Sequence, residues 1–99
     1  MIIVRDVFQL KFGMAKEAIA LMKQMSPVMK EMAYSKPVVM TDLTGPSYTM
    51  VMQTEHTDLG SFEKEMAAIF GNAEWESWYQ KFKPLCQSAS REIYRKVDV

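Results

Sequence analysis

Apolar and polar residues alternate along the first part of the chain, from Ile2 to Phe12. One face of this alternation is apolar, with Ile2, Val4, Phe8, Leu10 and Phe12. The other face is mixed, with Ile3, Arg5, Val7, Gln9 and Lys11. A period of two residues predicts a β-strand that is buried on one side, and we expect it to end at Gly13.

A second pattern, with steps of three and four residues, follows Gly13. Its apolar members are Ala15, Ala18, Met22, Met25, Met29 and Met32. This spacing predicts a long amphipathic helix. Pro27 falls inside the stripe, where it removes a backbone donor and clashes with the preceding turn. We therefore expect a kink or a break near residues 24–26, with the buried stripe continuing beyond it.

Residues 38–43 and 48–55 are rich in β-branched and aromatic side chains and flank a turn at residues 44–47. This arrangement predicts a β-hairpin. Asp58 or Ser61 is suited to cap a following helix, and Gly71 to end it. The apolar residues of that helix are Phe62, Met66, Ile69 and Phe70.

A third helix, capped by Asn72 and ended by Pro84, carries an aromatic face. Its members are Trp75, Trp78, Tyr79 and Phe82, at positions i, i+3, i+4 and i+7. Tyr79 follows Trp75 by one turn and Phe82 follows Trp78 by one turn, which predicts two adjacent aromatic rows. Residues 90–99 are expected to form the last strand.

The predicted order is strand, helix, strand, strand, broken helix, strand. With short connections and right-handed crossovers, this order gives a ferredoxin-like βαββαβ sandwich of class α+β. Its four-stranded antiparallel sheet carries the helices on one face. Since no linker or repeat divides the chain, we expect residues 1–99 to form a single domain.

Charge and cysteine content narrow the expected partners and location. The 12 basic and 12 acidic side chains cancel, so nucleic acid is not expected as a partner. No apolar run is long enough to span a membrane, and Arg5 and Asp6 interrupt the stretch that a signal peptide would need. Cys86 is the single cysteine and cannot form an internal disulfide, so we expect a cytoplasmic protein. The locally basic residues 81–96 indicate either a solvated face or a site for an anionic ligand.

Three segments resemble the dimeric α+β barrel superfamily: FQLKFGMAKEA at residues 8–18, TGPSYTMVMQTE at 44–55 and EWESWYQKFKPLCQSASREIYRKV at 74–97. Within it they are most similar to NIPSNAP-like and antibiotic-biosynthesis-monooxygenase-like small domains, over nearly the whole chain. The resemblance implies a homodimer whose two sheets pack face to face and form a barrel with the helices outside. It also implies a pocket between sheet and helices, used by some members for cofactor-free oxygenation, isomerisation or haem degradation, while many have no established activity.

The mixed face of the sheet favours a homodimer independently, because a face in contact with water would be polar. Its apolar members are Ile3, Val7, Val51 and, with the appropriate strand orientation, Ile93. Arg5 is expected near Gln53 and Glu55, and we favour an ion pair that fixes the dimer register over a catalytic one.

The aromatic stretch of the third helix admits two interpretations. A small domain needs such area for its core, but both indole N–H groups require partners, so one ring is expected at the rim of a pocket. We expect Trp78 to be structural and Trp75 to border the pocket or the subunit interface. The predicted lining is Phe8, Tyr48, Trp75, Trp78 and Tyr79, with Tyr94 added if its face points inward.

Three functions remain open. The first is an enzyme, a monooxygenase or isomerase with no metal or organic cofactor, which acts on an aromatic or polyketide-like molecule. In it Arg5 or Arg91 stabilises an oxyanion, and Tyr94 or His56 transfers protons. The second is a non-catalytic dimeric module that is structural or binds a small aromatic or apolar ligand. The third is haem binding with His56 as the sole imidazole ligand, although His56 fits an exposed loop residue at least as well.

Overall fold

The computed structural model describes residues 1–99 and contains one four-stranded antiparallel sheet with three α-helices. The strands are β1 (Ile2–Leu10), β2 (Val38–Thr41), β3 (Thr49–His56) and β4 (Cys86–Arg95). The helices are α1 (Ala15–Glu31), α2 (Leu59–Phe70) and α3 (Ala73–Phe82), and a 3-10 turn at Lys83–Leu85 joins α3 to β4. The strands lie in the order β2-β3-β1-β4. This is the predicted ferredoxin-like arrangement.

Helix α1 is continuous through Pro27 and ends at Glu31, so the expected break is wrong. The reason is tertiary packing. Ala18 and Met25 are buried on either side of the helix midpoint, and this burial offsets the loss of one backbone hydrogen bond at the proline. The apolar stripe continues past Pro27 as predicted, since Met29 and Met32 are half-buried.

The last strand begins at Cys86 and ends at Arg95, whereas residues 90–99 were expected. Its length is determined by its neighbour, because β4 pairs with β1 from Leu10↔Cys86 to Ile2↔Arg95. This pairing joins residues far apart in sequence, so the alternation within residues 90–99 does not reveal it. Val97 lies beyond the strand and is exposed.

Two apolar clusters pack on the helix-facing side of the sheet. The first cluster consists of Leu10, Ala18, Met50 and Phe82. The second cluster consists of Ile2, Val4 and Phe62. Along β1, Asp6 lies between the two clusters, in the same row of alternate residues. The row is therefore apolar at both ends and charged in the middle.

The side of the sheet that faces away from the helices is called the open face here. It carries Ile3, Arg5 and Val7 from β1 and their neighbours Val51 and Gln53 from β3. These five residues are half-buried. The mixture of apolar and polar residues agrees with the pattern predicted for this face.

Register corrects one assignment to the open face. Ile93 pairs with Val4 and lies on the helix-facing side. It was expected on the mixed face, so this assignment is wrong.

None of the three helices has the length and apolarity needed to cross a lipid bilayer.

Candidate functional site

A cleft of about 800 Å³ lies between the helix-facing side of the sheet and the helices. Its apolar lining includes Phe8, Met22, Met29, Met52, Met66 and Phe70. Its aromatic wall comes from α3 and consists of Trp75, Trp78 and Tyr79. The charged residues that line it are Asp6, Lys23, Lys36 and Arg91. The cleft thus combines a largely apolar surface with a few charged groups.

The start of α3 fixes the position of the aromatic wall. The side chain of Asn72 caps the helix, since its Oδ1 accepts a 2.8 Å hydrogen bond from the backbone N–H of Trp75. The ring of Trp75 stacks on Tyr79, with centroids 4.9 Å apart and planes 12° apart. Trp78 stacks on Phe82 at 4.9 Å and 10°. The two aromatic rows predicted from the sequence are confirmed.

The two indoles differ in their contacts. The Nε1 atom of Trp78 donates a 2.6 Å hydrogen bond to the carbonyl oxygen of Leu21 in α1. Its stacking partner Phe82 is buried in the first cluster. Trp75 instead contacts Phe70 edge-on at 5.3 Å, and Phe70 is exposed. Both indoles border the cleft, but Trp78 is also anchored to the packed part of the domain.

An ion pair lies at the floor of the cleft. The Nε atom of Arg91 donates to Oδ1 of Asp6 across a distance of 2.6 Å. The two residues face each other on neighbouring strands, since Asp6 pairs with Arg91 in the β1–β4 register. Asp6 is 14% exposed and Arg91 42% exposed. The guanidinium also lies over the ring of Phe62, with its Cζ atom 5.1 Å from the ring centroid.

Sequence reasoning named Arg91 but missed Asp6. The available signal was the helix-facing row of β1, in which a carboxylate stands where the pattern requires an apolar side chain. A charged residue at such a position needs a partner or a ligand. Which residue supplies the partner depends on the β1–β4 register, and the sequence does not show that register.

Tyr48 does not line the cleft, so this part of the prediction is wrong. It precedes β3 with a positive φ of 61° and packs against the first cluster instead of bordering the cleft. Its ring packs against Phe12 with a centroid distance of 4.9 Å. The other four predicted lining residues, Phe8, Trp75, Trp78 and Tyr79, do border the cleft.

His56 lies outside the cleft, in a polar network at the end of β3. It is 6% exposed, so it is not the exposed loop residue considered above. Its Nε2 atom lies 2.8 Å from Oγ1 of Thr54, and its Nδ1 atom lies 3.4 Å from Oε2 of Glu65. Ser35 completes the network through a 2.9 Å hydrogen bond to Glu65. Both ring nitrogens are engaged, so this geometry leaves neither for a haem iron or for proton transfer in the cleft.

Arg5 and Tyr94 lie on the open face and are separated from the cleft by the sheet. Tyr94 pairs with Ile3, so its face points away from the helices. Its hydroxyl group donates a hydrogen bond to the carboxylate of Glu92, and this bond together with the nearby negative charge raises the pKa of Tyr94. Of the four candidate catalytic residues, only Arg91 borders the cleft.

The expected ion pair of Arg5 is absent. Arg5 does lie opposite Gln53, as predicted, but its Nε atom is buried without a hydrogen-bond partner. Glu55 instead lies 3.6 Å from the ammonium group of Lys96. The expected contact fails because Glu55 pairs with Ile3 and lies two residues further along β3 than Gln53.

Solved structures share this fold at low sequence identity. A NIPSNAP family protein from Agrobacterium tumefaciens aligns with a TM-score of 0.89 and 12% identity, over 98% of this chain and 86% of its own. For a NIPSNAP domain protein from Burkholderia xenovorans the values are 0.88 and 10%, over 98% and 95%. For an antibiotic biosynthesis monooxygenase they are 0.75 and 12%, over 99% and 100%.

Neither a protein-family model nor a curated protein matches the sequence. Structural likeness at 10–12% identity establishes the fold, and function has to be argued from the site. The chain has the fold of the NIPSNAP structures, and the resemblance predicted from its sequence is confirmed at that level.

Proposed function

We propose that the protein binds a small aromatic or apolar molecule in the cleft between sheet and helices. The observation that carries this proposal is an 800 Å³ space next to stacked aromatic rings. Small-molecule sites have volumes of about 300–1,000 Å³, an apolar lining and a few polar groups. The lining described above meets each of these criteria.

A purely structural role for the aromatic wall is disfavoured by packing. Apolar side chains gain free energy when they are removed from water, and the rings of the aromatic wall are only partly buried by the protein itself. Trp75 and Tyr79 stack on each other and border the cleft instead of filling it. A domain of 99 residues has little stability to spare, so an occupant for this volume is the better explanation.

The methionines of the lining favour a site that adapts to its ligand. Four methionines from three elements line the cleft: Met22 and Met29 from α1, Met52 from β3 and Met66 from α2. Methionine side chains are unbranched and polarizable, so they adjust to irregular apolar shapes and make favourable contacts with aromatic rings. We therefore expect binding of several related aromatic molecules at similar affinity.

A second, catalytic function is supported by the ion pair. Asp6 supplies a carboxylate that can accept a proton, and Arg91 supplies a cation that can stabilise the resulting oxyanion. Proton abstraction from an acidic phenol would be the first step of cofactor-free oxygenation or isomerisation. Oxygen uptake with 1-naphthol that is lost in Asp6→Asn would support this function, whereas binding without any uptake leaves a non-catalytic binder.

We further propose that the protein is a cytoplasmic homodimer that associates through the open face. On the edge strand β2, Val38 and Met40 extend the apolar part of this face and are exposed. Burying them together with Ile3 and Val51 would add apolar contact to a small domain. The free thiol of Cys86 supports a reducing compartment.

Calorimetric titration with naphthalene-2-methanol, a neutral bicyclic probe, tests the binding function. Ala89 is exposed and lines the cleft, so Ala89→Trp adds an indole to the cleft without removing a core side chain. Ser77→Trp is the matched control, because Ser77 is exposed on α3 and does not line the cleft. We expect binding by the wild type and by Ser77→Trp and a loss in Ala89→Trp. Equal binding by all three would place the probe elsewhere and contradict the proposal.

A further inference from the structure

We infer that the ligand of the cleft carries an anionic group, such as a carboxylate, and that this group binds the guanidinium of Arg91. The inference rests on the proposed binding function and specifies the chemical class of the ligand. The ligand would then have an aromatic part that contacts the aromatic wall and an acidic part that binds Arg91 at the floor of the cleft.

The first argument is the orientation of the guanidinium. The Nε atom of Arg91 is engaged with Asp6, while its two terminal Nη groups make no hydrogen bond or ion pair within the protein. Arg91 is partly exposed and lines the cleft, so these N–H donors are accessible to a ligand. Two parallel donors in a planar group match the two oxygens of a carboxylate.

The second argument is that the guanidinium is held in place. Asp6 fixes one edge of the group, and Phe62 from α2 lies against its face at 5.1 Å. A pre-oriented side chain loses less conformational entropy when it binds a ligand than a free arginine does. This arrangement therefore favours a directional contact between the guanidinium and a ligand over a mobile charge exposed to solvent.

The third argument is the charge balance around the cleft. Asp6 is the only acidic residue in its lining, and its charge is balanced by Arg91. The two remaining charged residues, Lys23 and Lys36, are both basic. The cleft therefore has an excess of positive charge in a chain whose overall formal charge is zero. Clefts lined by one sign of charge concentrate ligands of the opposite sign.

The test compares two probes that share one aromatic part, 2-naphthoate and naphthalene-2-methanol, by calorimetric titration at low ionic strength. We expect the wild type to bind the acid about tenfold more tightly than the alcohol, a difference of about 1.4 kcal/mol, since hydrogen bonds between charged groups are stronger than those between neutral groups. The difference should shrink as salt is added.

Arg91→Gln removes the charge, and Arg95→Gln is the control because it makes the same change on the same strand outside the cleft lining. We expect Arg91→Gln to bind the acid no more tightly than it binds the alcohol, so that the preference for the acid is lost. Circular dichroism checks that the variant is folded. If Arg91→Gln does not fold, the preference of the wild type and its salt dependence decide the question.

The outcomes separate this inference from the proposed function. Equal binding of acid and alcohol by the wild type, or an acid preference that survives in Arg91→Gln, overturns the inference and leaves aromatic binding intact. Binding of neither probe overturns both.

Discussion

The indole N–H of Trp78 in α3 donates a 2.6 Å hydrogen bond to the backbone carbonyl of Leu21 in α1. The two bonded residues are 57 positions apart in sequence, so this contact joins two helices that are distant along the chain. It satisfies the polar edge of a large apolar side chain and lets the ring stack on Phe82. Trp75, one turn earlier on the same helix, makes its stacking contact with Tyr79 at the cleft.

This difference predicts separate roles for the two indoles. We expect Trp78→Ala to lower the free energy of unfolding by about 3–5 kcal/mol, because it creates a cavity and removes the hydrogen bond between the indole and the Leu21 carbonyl. Trp75→Ala should cost only about 1–2 kcal/mol and weaken binding of naphthalene-2-methanol. Urea unfolding and calorimetric titration measure the two effects. Equal destabilisation, with unchanged binding in Trp75→Ala, would mean that both rings are core.

The residue after the end of α1, Ala33, has a left-handed backbone conformation, and this conformation predicts a stabilising substitution. Ala33 has a φ of 58°, and the backbone N–H groups of Ala33 and Tyr34 donate to the carbonyls of Lys30 and Met29. This is a helix end that favours glycine, since an L-residue in this conformation costs about 1–2 kcal/mol. We expect Ala33→Gly to raise the free energy of unfolding by about 1 kcal/mol.

Ala20→Gly is the matched control for this substitution. Ala20 is exposed within α1, where glycine destabilises a helix by about 1 kcal/mol. The two variants should therefore change the midpoint of urea unfolding in opposite directions. A decrease in both would contradict the proposed glycine preference at Ala33.

The open face predicts the oligomeric state. We expect sedimentation equilibrium to give twice the chain mass of 11.4 kDa at micromolar concentration. Val7→Glu should shift the protein towards monomer or unfold it, because it introduces a charge on the half-buried open face. Val97→Glu, on an exposed residue after β4, should have no such effect. A folded wild-type monomer at this concentration would refute the dimer.

Burial raises the pKa of Cys86 above its ordinary value of 9.0, and the charge of Lys11 opposes this shift only in part. The folded protein therefore retains the thiol proton to higher pH than the unfolded chain. This contribution to stability is fully present below the unfolded pKa and is lost as the pH rises through the folded pKa.

Thiolate reactivity tests the shifted pKa. We expect the rate of Cys86 alkylation by iodoacetamide to reach half of its maximum at a higher pH in the folded protein than in the urea-unfolded chain. Cys86→Ser should lose less stability than the wild type between pH 8 and pH 10, a range taken around the ordinary thiol pKa. The same midpoint in folded and unfolded protein would show that burial does not govern this thiol.

The sequence predicted the elements because their signals are local. Alternation along β1 and the capping side chains of Asp58 and Asn72 depend on neighbours within a few residues. Both caps are confirmed, with hydrogen bonds to the backbone N–H groups of Ser61 and Trp75. The aromatic rows of α3 follow from helical spacing in the same way.

The errors concern relationships between distant segments. Ile93 and Tyr94 could not be assigned to the two sides of the sheet, because the orientation of β4 depends on its pairing with β1. The proximity of Asp6 and Arg91 depends on that same pairing. The surroundings of His56 depend on α2, since its ring lies 5.0 Å from that of Phe62 and its Nδ1 atom lies 3.4 Å from Oε2 of Glu65, and the sequence does not show these contacts.

Nuclear magnetic resonance of methyl-labelled methionine tests the central claim that the cleft is a binding site. Met22, Met29, Met52 and Met66 line the cleft, whereas Met40 lies on the opposite side of the sheet. With naphthalene-2-methanol bound, the account predicts nuclear Overhauser effects from the ring protons to the methyl groups of the four lining methionines and none to Met40. Effects confined to Met40, or their absence from all four lining residues at saturating probe, would contradict it.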